Sequence, residues 1–206
     1  MQRLRHLGPM LLGLLSGTAC WLSLDYRPDL LFFSSFIPGA GRVSALPGVV
    51  FGLAVALALR FSGLASVRRL PLAILLVVLG WGLGFHAAMI TGIPLEALIA
   101  GPDSRPGDAG PRLALAVALS IGSLVGGALT LFAFATATEA RLSRARWATG
   151  LALGVLVSVM VGTGVGLEEE TRFWISLFVL WQSTMIVAGL SSVAEAREKT
   201  AAPAAG

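Results

Sequence analysis

Hydrophobic and polar positions along this chain fall into long, uninterrupted blocks, with neither the strict alternation of strands nor the two-faced pattern of surface helices. The clearest block is Leu70–Gly92, 23 residues without Asp, Glu, Lys or Arg, in which His86 is the one ionisable side chain. An uncharged run of more than about 18 residues can cross a hydrocarbon core of roughly 30 Å as a helix. Read by that rule, the chain predicts spans at residues 7–24, 43–59, 70–92, 113–138, 147–167 and 173–193. The predicted fold is all-α, a polytopic integral membrane protein with six transmembrane helices in one domain, residues 1–193. The tail, residues 194–206, ends in AAPAAG and is expected to be disordered.

Three stretches break the pattern. Leu30–Ile37, LLFFSSFI, is apolar, but eight helical residues reach only about 12 Å. It reads as an interfacial or re-entrant segment. The link from Ile93 to Arg112 carries Pro94, Pro102, Pro106 and Pro111 and reads as a solvated loop with a short apolar opening. Met1–Leu24, basic and then apolar, also has the make-up of a signal peptide. It is taken as a retained first span. The stretch Leu15–Cys20 only faintly resembles a lipoprotein processing site, because Gly17 stands where a branched apolar residue is expected.

Composition agrees with the pattern. Hydrophobic residues make up 56% of the 206 and charged residues 13%, against about 25% charged in ordinary soluble domains. So few charges could not cover a soluble surface. The net charge of +4 raises the question of nucleic acid, but the basic residues sit in short clusters between the apolar blocks. On one side of the predicted spans lie Arg3, Arg5, Arg60, Arg68, Arg69, Arg141, Arg144, Arg146, Arg197 and Lys199; on the other lie Arg27, Arg42, Arg105, Arg112 and Arg172. The side richer in Lys and Arg faces the cytoplasm. This places both termini in the cytoplasm of a bacterial-type inner membrane, with no nucleic-acid partner. A single cysteine, Cys20, gives no intramolecular disulfide and no information about compartment.

Small residues recur at helical spacing and predict how the spans meet. The fifth span carries Gly150, Gly154, Ser158, Gly162 and Gly166, one small residue in every four. The fourth carries Ser120, Ser123, Gly127 and Thr130 on one face, and the third Gly80, Gly84, Ala87 and Thr91. Such rows let helix backbones approach closely in lipid, where apolar side chains have no preference for one another. A glycine-packed bundle is expected, with spans three to five at its centre and spans one, two and six around them.

Candidate chemistry is sparse. His86 is the only ionisable group deep in any span, and intramembrane ionisable residues are functional candidates by default. It could serve a proton pathway, act as a base, or be an axial ligand to a tetrapyrrole, with Gly82 leaving room beside it. The plainer reading is a neutral histidine hydrogen-bonded within the bundle, with no cofactor at all. Gln182, beside Trp181, Ser183 and Thr184, puts a polar patch at the middle of the sixth span, either as glue between helices or as cavity lining. No span holds an Asp or Glu, and no His, Cys and acid set has metal-ligand spacing. Glu168, Glu169, Glu170 and Arg172 lack the spacing of CAAX-type membrane proteases and read as a polar turn. No phosphate-binding loop, dinucleotide fingerprint or nucleophile elbow is present.

The expectation is therefore a non-enzymatic inner-membrane protein. One reading, slightly favoured, is passive or weakly coupled permeation of a small solute, with His86, Gln182, Ser120, Ser123 and Thr184 lining a cavity. The alternative is a non-catalytic membrane subunit, binding a partner protein, a pigment or haem, a lipid or further copies of itself through its glycine-lined faces. An intramembrane enzyme comes third, for want of a complete catalytic set.

Overall fold

A computed structural model describes residues 2–26, 32–34, 42–99, 108–164 and 170–201. It holds six helices: α1 (Gln2–Tyr26), α2 (Leu46–Phe61), α3 (Leu70–Ile99), α4 (Ala109–Thr138), α5 (Arg144–Gly164) and α6 (Glu170–Ala201). Four of them contain stretches long and apolar enough to cross a membrane: Val67–Ile99, Ala109–Thr138, Arg144–Gly164 and Phe173–Glu198. The apolar parts of α1 and α2 are shorter, Gly8–Ser23 and Leu46–Phe61. At 1.5 Å per residue each of these covers about 24 Å.

Consecutive helices pack on one another in chain order, and α6 closes the ring against α1. It also leans inward onto α2 and α4. The outward faces carry Leu11, Leu15, Leu53, Leu75, Leu83 and Ile90, all exposed. The bulky interior is built by α2, α3, α4 and α6, around Phe51, Leu59, Val77, Leu131, Phe134 and Ile186. The expected centre at spans three to five is thus corrected: α6 takes the place of α5. The reason lies in α5's own sequence. Its inward residues Gly150, Gly154, Ser158 and Gly162 bring it close to α4 but supply no bulk to fill a core.

Several boundaries differ from expectation. The third helix does not stop before Pro94 but runs through it to Ile99. A proline removes one helical donor, and membrane helices tolerate this when neighbours pack against the site. Here Gly110, in the first turn of α4, lies against the end of α3; a Cβ placed on it would stand 3.2 Å from the Ile99 carbonyl. The expected disordered tail is helical through Ala201. Its run of good helix formers continues α6, and Arg146–Glu195 (3.0 Å) and Arg197 to the Leu64 carbonyl (2.5 Å) tie it down. Residues 202–206 lie outside the described residues.

The segment read as interfacial or re-entrant contains β1 (Phe32–Ser34), which pairs antiparallel with β2 (Arg42–Ser44), Phe33 opposite Val43. Pairing with β2 gives these backbone groups partners that an eight-residue helix could supply only in part. At the other end of the molecule, Arg69 pairs with Glu139 and donates to the Thr136 carbonyl, joining the start of α3 to the end of α4.

Candidate ligand cleft between α3, α4 and α6

Two rows of small residues meet where α3 crosses α4. On α3 the row is Gly80, Gly84, Ala88 and Gly92; on α4 it is Ala114, Ala118, Gly122 and Gly126. Both repeat every fourth residue, so each row lies along one face of its helix. The approach is close. A Cβ placed on Gly84 would stand 2.8 Å from the Gly122 carbonyl oxygen, and one on Gly122 equally 2.8 Å from that of Gly84. Side chains this short bring the backbones together and leave the angle between α3, α4 and α6 unfilled.

The result is a cavity of about 390 Å³. Its third wall is aromatic and comes from α6. Trp174 stacks on Phe178 with ring centroids 5.9 Å apart, and Phe178 meets Trp81 of α3 at 5.4 Å. Trp174 is part of this wall. At the depth of Trp81 the space between α3 and α6 is taken over by α2. The Trp81 indole donates to the Ser44 carbonyl at 2.8 Å, Gly48 lies against the Trp81 side chain, and Phe51 meets Trp181 edge-on at 5.5 Å. Beginning at that level, α2 fills one half of the gap and leaves the cavity in the other.

The polar groups of the cavity are few. Ser123 and Ser158 line its deep end, 2.7 Å apart, and Ser123 donates to the Gly154 carbonyl at 3.2 Å. The Trp181 indole nitrogen is buried there without a hydrogen-bond partner among the described residues. At the other end stands the exposed carboxylate of Glu96, the one ionisable side chain among the described lining residues.

The residues singled out from the sequence fall into three groups. Ser123, Gly80 and Gly84 line the cavity. Gly127, Gly150, Gly154 and Gly162 lie in helix contacts around it, Gly127 near Leu151 and Met185, Gly150 near Leu131, and Gly162 against Ala116. Ser120 turns back to its own helix, donating to the Ala116 carbonyl at 2.6 Å. Thr184 lines a separate groove with Thr149, Ser183 and Ser191, and the Arg146–Glu195 pair is also in its lining. Gly166 lies outside the described residues.

His86 and Gln182, expected to share a cavity, are not brought together in this one. His86 is 8% exposed, and its Nδ1–H donates to the Gly82 carbonyl at 2.7 Å. Gln182 is 2% exposed and sits in a chain of hydrogen bonds joining three helices. Ser16 donates to its carbonyl oxygen at 2.5 Å, its amide donates to the Cys20 sulfur at 3.1 Å, and Cys20 donates to the Pro47 carbonyl at 3.2 Å. The partners Ser16 and Cys20, and the small-residue positions Ala88, Ala114, Ala118, Gly122 and Gly126, escaped the sequence reading. Gly122 and Gly126 carried a signal, the four-residue glycine spacing of close helix pairs. No protein-family model, curated protein or solved structure matches this chain.

Proposed function

We propose that this is a six-span protein of a bacterial-type cytoplasmic membrane, both termini in the cytoplasm, whose helices meet through small residues. In this reading it works without catalysis, by holding an apolar molecule in the cleft between α3, α4 and α6. The observation that carries the reading is the cavity of about 390 Å³ walled by glycine, alanine and aromatic side chains. Pockets for apolar ligands have this make-up, with few polar groups fixing orientation.

Permeation, the other reading of the sequence, would need His86 and Gln182 to face a shared path. The hydrogen bonds of Gln182 to Ser16 and Cys20 favour the role of glue between α1, α2 and α6 instead. The leucine-rich outer faces and the surplus of arginine at one end support the membrane placement and orientation.

The test is retention of ligand. Purified in mild detergent, the protein is expected to carry an apolar small molecule detectable by native mass spectrometry, and Ala118→Phe to carry much less. In liposomes neither protein is expected to pass small solutes. Solute flux through a protein that retains no ligand would overturn the reading.

A further inference from the structure

The proposed ligand site also has a depth and a charge pattern, and these narrow what it holds. Counted from Leu70, the first residue of α3 after Arg68 and Arg69, Gly80 lies about 15 Å along the axis, half of a hydrocarbon core of roughly 30 Å. From Gly80 to Glu96 is about 24 Å more, the depth of the second leaflet's hydrocarbon together with its headgroup layer. The cleft therefore runs from the bilayer midplane to the headgroups on the side away from Arg68 and Arg69. That is the reach of one lipid chain in one leaflet.

Near its shallow end stand charges of both signs: Glu96 on one side, and on the other Arg112 with Asp108 four residues before it. Glu96, on α3, is the ionisable residue of the lining. Arg112, in the first turn of α4, is not itself part of the lining, but it lies seven and eleven residues before Leu119 and Ser123, which are, and so falls on the edge of the same face. Its Nε is buried and has no hydrogen-bond partner among the described residues. Arg69–Glu139 and Arg146–Glu195 are ion pairs among those residues, and neither Glu96 nor Arg112 is in an ion pair with another described residue. An acid and a base left apart at headgroup depth complement a zwitterion.

We propose that the cleft holds a chain of a phospholipid with a primary-amine headgroup, its ammonium on Glu96 and its phosphate on Arg112. Three N–H donors suit a carboxylate, and a guanidinium is matched to phosphate oxygens. A glycerol headgroup offers Glu96 no cation, and a quaternary ammonium offers it no N–H. The proposal rests on the apolar-ligand reading above, and one experiment separates the two.

The protein is incorporated into nanodiscs of equimolar phosphatidylethanolamine, phosphatidylglycerol and phosphatidylcholine, re-extracted in mild detergent and weighed by native mass spectrometry. The wild type is expected to keep phosphatidylethanolamine over each of the others by about tenfold, the ratio one charge-assisted hydrogen bond supplies. Glu96→Gln is expected to bring that ratio to about one, while Glu139→Gln, at the opposite end, keeps it. Equal retention of the three lipids by the wild type, or a preference that survives Glu96→Gln, overturns the headgroup assignment alone. A wild type that keeps no lipid, or an Ala118→Phe variant that keeps as much, overturns the underlying reading. The wild-type ratio is read directly, so the outcome of equal retention does not depend on how well any variant folds.

Discussion

Gly84 of α3 and Gly122 of α4 face each other reciprocally, each placed so that a side-chain carbon would stand 2.8 Å from the other's carbonyl oxygen. The neighbouring atom on each side is backbone, which cannot swing away. Alanine at either position therefore forces the two helices apart and widens the cleft they frame. Gly84→Ala is expected to destabilise the protein by about 1–3 kcal/mol, the usual range for overpacking. Gly164→Ala, where nothing among the described residues lies within 4 Å, should stay within about 0.5 kcal/mol of wild type. Thermal unfolding in detergent compares them; equal melting temperatures would mean that the α3–α4 contact is looser than described.

The Ser16–Gln182–Cys20–Pro47 chain should behave as glue. Hydrogen bonds between membrane helices contribute about 0.6–2 kcal/mol each. Gln182→Leu is expected to cost that order, and in a double-mutant cycle with Ser16→Ala the two losses should be less than additive. Strict additivity in unfolding measurements would show that the two side chains do not act together.

Orientation can be read from chemical labelling. Cys20 is buried and should stay unreactive in the folded protein. A cysteine at Asp108, exposed at the start of α4, is expected to react with an impermeant maleimide in intact cells. One at Ser143, exposed between α4 and α5, should react only after permeabilisation. The reverse pattern would invert the topology and put the cleft in the other leaflet.

How much of this was legible in the sequence depends on the range of the interaction. The span Leu70–Gly92 was readable because an uncharged run of that length has few other places to be. The continuation to Ile99 was not, since Pro94 reads as a stop and the packing that tolerates it comes from α4. Small-residue rows are visible in the sequence, and of the α4 row Ser120–Thr130, Ser123 and Gly127 meet α5. The row that meets α3, Ala114–Gly126, is made of alanine and glycine alone and has no polar marker. Gln182 stood out as costly in a membrane, yet its partners Ser16 and Cys20 lie more than 160 residues away, and nothing local points to them. The cleft itself was least legible, because it arises where three helices fail to fill the space between them.

The most direct test of the account uses the tryptophans already in the cleft. Trp81, Trp174 and Trp181 line it. Protein reconstituted with phosphatidylethanolamine brominated on its acyl chains should show tryptophan fluorescence quenched well beyond that of an Ala118→Phe variant, in which the phenyl ring occupies the space of the chain. Quenching that is the same in both proteins would mean that the bromines reach only the outer surface, and that no lipid chain enters the cleft.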